Sequence, residues 1–176
     1  MDIPIFEGGV CYTQKEMTEL FKHITYHDNF SILEFATGNS TLKLHSHFKK
    51  HVENLVFYSY DSDSRFFRPI NIQNEQRSPI DFIYYNDPDI KSVELPPIKF
   101  DLILVDGSNE DKRAIWCSKF KNNIKNGTII VFDYFNHFTC SSDELDKHFD
   151  YELLGSNTEP FVAYGEHSWK IIRIKQ

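Results

Sequence analysis

Ile32-Leu33-Glu34-Phe35-Ala36-Thr37-Gly38-Asn39-Ser40-Thr41 is the stretch that decides the fold. From Ser31 to Phe35 the chain is apolar on both of its sides, the pattern of a strand covered on both faces of a sheet. Ala36 to Ser40 is small and polar, hence a turn. Small residues let a backbone bend tightly and approach a ligand. Thr41 to Lys50 then reads as a helix carrying Leu42, Leu44, His45 and Phe48. Asn39 or Ser40 is the expected cap of that helix. Its start offers free N–H groups and the positive end of a dipole to polar ligand atoms.

The same alternation continues outward. Leu55 to Tyr60 is a second strand, ending at Asp61, and Ile80 to Tyr85 is a third. Phe100 to Val105 is almost wholly apolar and ends at Asp106-Gly107. Glu110 to Lys125 follows as a helix, with Ile115, Trp116, Phe120 and Ile124 on one side. Asn126-Gly127 closes it as a C-cap. Thr128 to Phe132 is a further apolar strand, ending at Asp133. A short helix starts at Ser141-Ser142-Asp143-Glu144 and holds Leu145 and Phe149. Tyr151 to Leu154 and Trp169 to Ile174 are the last two strands. Ahead of the quoted stretch, Thr13 and Glu16 form a capping box. Met17, Leu20, Phe21 and Ile24 follow it at helical spacing. Arg65 to Arg77 has no decisive pattern. Asp87 to Pro97 holds three prolines and is a loop.

Apolar strands alternating with helices give an α/β fold, a doubly wound, mostly parallel sheet with helices on both faces. No repeat, low-complexity tract or Gly/Ser linker divides the chain, so residues 1–176 read as one domain. A chain of 176 residues suffices for one sizeable core.

Composition narrows the partners. The net charge of −7 and the lack of any basic block beyond pairs such as Lys49-Lys50 disfavour a nucleic-acid partner. Cys11, Cys117 and Cys140 are far apart and form no CxxC pair, so reduced thiols in a cytoplasmic protein are expected. The amino terminus lacks the pattern of a signal peptide. No apolar run approaches the roughly 18 residues of a membrane helix, so no membrane partner is expected.

In doubly wound sheets, ligands bind outside the carboxyl ends of the strands, where the strand order reverses. That rule selects Glu34 to Ser40, Asp61, Asp106 and Asp133. Asp61 stands about 20 residues beyond the turn, the distance at which a Rossmann acid meets a ribose diol. Asp63 competes for the same role. The absence of GxGxxG argues against a nicotinamide dinucleotide. His47 and His51 have the i, i+4 spacing of a chelating pair, but are expected as surface histidines of an amphipathic helix. His137 follows the fifth apolar strand, where an imidazole could take a proton near neutral pH.

Four segments carry a family resemblance. ILEFATGNSTLKL resembles the first motif of class I methyltransferases that use S-adenosylmethionine (SAM), and is similar to its LEFGSGNSTL version. FYSYDSDSRFF resembles the strand bearing the ribose acid. FDLILVDGSNEDKR and NIKNGTIIVFDYF resemble the fourth and fifth strands with their acidic ends. The resemblance implies a seven-stranded sheet and SAM as cofactor. It implies that Glu34, Ala36, Thr37, Gly38 and Ser40 line the cofactor and that Asp61 binds its ribose. Asp106 would lie beside the sulfonium and the acceptor, with Asp133 and His137 as the other catalytic candidates. Ala36 and Ser40 stand where the family usually has glycine.

Sugar O-methyltransferases of the macrocin type carry DGD and DDY after these two strands and hold Mg²⁺ with those acids. Here Ser108 and Phe132 replace one acid of each pair, so no metal is expected. The reading that follows is methyl transfer to a small-molecule or sugar hydroxyl. Residues 1–30 would contribute to the acceptor side, and a homodimer is the candidate assembly. The alternative is a non-catalytic SAM-binding or vestigial methyltransferase domain serving a partner subunit.

Overall fold

The computed structural model describes residues 4–5, 12–63, 80–84, 93–106, 113–133, 142–161 and 165–175. Among the described residues seven strands form: β1 (Asn29–Phe35), β2 (Asn54–Asp61), β3 (Asp81–Tyr84), β4 (Leu102–Val105), β5 (Ile129–Asp133), β6 (Tyr151–Phe161) and β7 (Gly165–Ile174). They form one sheet in the order β3-β2-β1-β4-β5-β7-β6. The first five are parallel, and β7 joins β5 antiparallel with β6 outside it. The chain steps outward from β1 to β3, then returns to lay β4 against the other side of β1. The reversal of strand order therefore falls between β1 and β4, at the carboxyl end of the quoted stretch.

Alternation along the central strands sends successive side chains to opposite faces. Leu33, Phe35, Ile103, Val105, Ile130 and Phe132 pack against Cys117 and Phe120 of helix α3 (Arg113–Phe120) and Leu145 of α4 (Ser142–His148). Ile32, Leu102, Leu104, Ile129 and Val131 face the other way. They meet Met17, Leu20 and Phe21 of α1 (Gln14–His23) and Leu44 and Phe48 of α2 (Asn39–Phe48). Two apolar layers on one sheet are what strands covered on both faces require.

The capping box of α1 forms as read: the Glu16 N–H donates to Thr13 Oγ1 and the Thr13 N–H to Glu16 Oε2, both at 3.2 Å. At Gly155 an added Cβ would stand 2.9 Å from Glu19 Cγ and 3.3 Å from Trp169 Cζ3. That close approach brings one side of α1 against the β6–β7 end of the sheet.

Several boundaries differ from expectation. α3 gives way to a 3₁₀ turn at Lys121–Asn123, so Asn126-Gly127 does not close an α-helix. Gly127 takes φ +88° in the turn leading to β5 and donates its N–H to the Ile174 carbonyl at 3.0 Å. The last two strands are much longer than their apolar cores suggest. β6 is an outer strand with a register shift between Leu153 and Gly155, which breaks the alternation that marks a strand. The turn of α2 is capped by Gly38, not by Asn39 or Ser40. His47 is buried, its Nε2 2.7 Å from the Tyr26 hydroxyl, because α2 turns that side toward the end of α1; only His51 is exposed as expected. Arg65 to Arg77 lies outside the described residues, as does most of the Asp87–Pro97 loop. No described helix is long and apolar enough to cross a membrane.

Candidate functional site

The turn after β1 is held by a chain of short hydrogen bonds. The Ala36 N–H donates to the Tyr60 carbonyl at 2.9 Å, extending the β1–β2 ladder by one residue. Ala36 then takes φ +106°, a region that L side chains seldom enter. The strand can thereby bend sharply into α2. The Thr37 N–H donates to Asp61 Oδ2 at 2.7 Å. Gly38, the N-cap, has no side chain to offer, so Thr41 reaches back and its Oγ1 accepts the Gly38 N–H at 2.9 Å. This is half of a capping box, made by a threonine in the third helical position.

Glu34 anchors this turn from beneath. Its Oε2 accepts from Thr41 Oγ1 and from Ser59 Oγ, both at 2.7 Å, and the Thr37 hydroxyl lies 2.7 Å from Ser59 Oγ. Its Oε1 has no hydrogen-bond partner among the described residues. Burial pushes the Glu34 carboxyl up to about 8, while the Ser59 and Thr41 hydroxyls pull the other way. Charging this group inside the core is costly unless hydrogen bonds compensate. Sequence reasoning missed Ser59 and Thr41. The signal was present: Ser59 stands in register with Glu34 on the next strand, and Thr41 falls in the first turn of the helix that follows β1.

Asp61 ends β2 directly beside the turn. Its two oxygens accept the backbone N–H groups of Thr37 and Asp63, each at 2.7 Å. Burial raises its pKa, and those two N–H donors hold the rise in check. Asp63 therefore donates to Asp61 through its backbone, and Asp61 is the acid built into the strand end. Thr37 and Ser40 are buried, whereas Ala36 and Gly38 remain half-exposed. Among the described residues, a Cβ added at Gly38 would meet only Ser40 Oγ, at 3.8 Å. The face of the turn is thus open to a ligand.

The structure brings Glu34, Ala36, Thr37, Gly38, Ser40 and Asp61 into one assembly. Asp106 follows β4 and donates its N–H to the Phe35 carbonyl at 3.0 Å, so it abuts the same turn across the switch point. Asp133, fully buried, ends β5 one strand farther on and faces Trp169 of β7 in register. His137 lies outside the described residues. Among the described residues no group of three His, Cys, Asp or Glu side chains is placed to hold a metal ion.

No protein-family model matches the sequence, and no curated protein matches it. Solved structures do resemble it. An rRNA methylase from Streptococcus thermophilus superposes with a TM-score of 0.63 at 10% identity, covering 94% of this chain and 98% of that one. The N-methyltransferase NodS from Bradyrhizobium japonicum, in complex with S-adenosylhomocysteine (SAH), gives 0.56 at 13% identity, covering 84% and 79%. A precorrin-6y C5,15-methyltransferase from Geobacter metallireducens gives 0.57 at 12% identity, covering 95% and 91%. Their acceptors differ, and at such identities the shared property is the architecture. The chain has the fold of the class I SAM-dependent methyltransferases.

Proposed function

We propose that this chain binds SAM across the tips of β1, β2 and β4 and transfers its methyl group to a small-molecule or sugar hydroxyl. The observation that carries the reading is the joint between the half-open turn and Asp61 at the switch point of the sheet. The residues fit the cofactor. Asp61 accepts the backbone N–H groups of Thr37 and Asp63, and a carboxylate with about four lone-pair sites keeps acceptor capacity for a ribose hydroxyl. The open face at Gly38 leaves room above the turn, and the start of α2 offers its dipole there. Bound SAM supplies a methyl group made electrophilic by its sulfonium.

The chain's own residues would do the rest. The sheet edge holds the two reactants in line, which replaces a costly encounter in solution. Asp106 and Asp133 stand on neighbouring strands on the acceptor side, where a carboxylate can take the proton of an attacking hydroxyl. The N-terminal segment, residues 1–30, would cover that side. The preference for a hydroxyl, and for a sugar, rests on the resemblance to glycan-modifying enzymes. Incubation with methyl-labelled SAM and a panel of sugars, nucleotide sugars and phenols tests it. Label recovered on an acceptor oxygen supports the reading, and label on nitrogen or on RNA would replace the acceptor class. Cofactor binding with no transfer to any acceptor would favour the non-catalytic alternative.

A further inference from the structure

Tyr12 sits at the carboxyl edge of the sheet for a topological reason. α1 passes into β1 through residues 24–28, so it runs antiparallel to β1. The end of α1 lies at the amino edge, and its start, Tyr12-Thr13, lies at the opposite edge. Ten helical residues span about 15 Å and seven strand residues about 23 Å, so α1 reaches most of the way up β1. The Tyr12 ring joins the apolar layer of Met17, Leu20, Ile32 and Leu104 and is 2% exposed. Its hydroxyl has no hydrogen-bond partner among the described residues. Buried hydroxyls are seldom left so, and each such group asks for an explanation.

The surroundings supply one. Burial raises the Tyr12 pKa well above that of an ordinary phenol, and the charges of Asp106, Glu34, Asp133 and Glu16 raise it further. These acids lie around the phenol. Glu34 and Asp106 belong to the tips of β1 and β4, which flank the switch point. Tyr12 and these two strand tips share the carboxyl edge of the sheet. SAM carries its positive charges on the sulfonium and the amino-acid ammonium, so the acids at this edge favour that end of the cofactor. We propose that the Tyr12 hydroxyl is a cofactor-binding group that hydrogen-bonds the amino-acid end of SAM. The surrounding carboxylates repel an anion, so the ammonium is its partner and the phenol oxygen accepts. This inference rests on the SAM reading.

Tyr12→Phe removes the hydroxyl and little else. Calorimetric titration should compare SAH with 5′-methylthioadenosine, which keeps the adenosine and lacks the amino-acid chain. The variant should lose at least about tenfold in SAH affinity and stay within about twofold for methylthioadenosine. The free variant should melt no lower than the parent, because the lost group bonds none of the described residues. Unchanged SAH affinity overturns the proposal, as does an equal loss for both ligands. A variant that melts lower or fails to fold also overturns it, because the hydroxyl would then serve the structure. A parent chain that binds neither ligand removes the SAM reading itself, a result distinct from all of these.

Discussion

The backbone N–H of Thr37 donates to Asp61 Oδ2 at 2.7 Å, fastening the turn after β1 to the tip of β2. One carboxylate thus shapes the turn and faces the space above it. Asp61→Ala should weaken SAH binding by about 1–3 kcal/mol, the scale of hydrogen bonds to a charged group. Calorimetry on the folded variant checks this. An affinity equal to that of the parent would show that Asp61 does not hold the ribose.

Ala36 offers a test of the turn itself. Its φ of +106° strains an L side chain, at a cost of order 1–3 kcal/mol. Glycine would relieve that strain, and its extra freedom in the unfolded chain returns about 0.5–1 kcal/mol of the gain. Ala36→Gly should stabilise the protein by about 1 kcal/mol, a rise of about 2–4 °C in Tm for a chain of this size. A lower Tm would mean that the Ala36 methyl makes packing worth more than the strain.

Much of this was legible in the sequence, and the residues show why. Ile32 to Ser40 announced a strand and a small-residue turn because burial on both faces forbids polar alternation there. Asp61, Asp106 and Asp133 each end an apolar run, so topology alone carries them to one edge of the sheet. His47 misled because its side of α2 is covered by the end of α1, a packing choice that helical spacing does not encode. Tyr12 escaped notice because nothing local distinguishes it. Its place follows from the antiparallel course of α1 against β1. β6 was underestimated because an irregular outer strand with a bulge near Gly155 loses its period.

Glu34 should make stability depend on pH. Its carboxyl rises from an ordinary 4.5 in the unfolded chain to about 8 in the folded one. Between those values the folded state holds the proton more tightly, so stability contributed by Glu34 falls as pH rises. The loss begins near 4.5 and is complete just above 8. Glu34→Gln keeps an oxygen for Thr41 and Ser59 and removes the titration. The variant should show a smaller drop in Tm between pH 5 and pH 8 than the parent. An undiminished drop would assign the dependence to other groups.

Asp106 and Asp133 separate chemistry from folding. Asn in place of either keeps the size and much of the hydrogen bonding while removing the charge. If the acids act on the acceptor, Asp106→Asn or Asp133→Asn lowers turnover by about 10²–10⁴-fold, the scale of general base catalysis. Tm should stay near that of the parent, and SAH should still saturate both variants. Full turnover in both variants would move the proton acceptor elsewhere, with His137 next in line.

The central claim is that the carboxyl edge at Ala36–Ser40 and Asp61 is a SAM site. Calorimetric titration of the unaltered chain with SAH, set beside NAD as a control dinucleotide, tests it most directly. The account predicts saturable one-to-one binding of SAH and none of NAD. A folded chain that gives no SAH binding, or that prefers NAD, would contradict it.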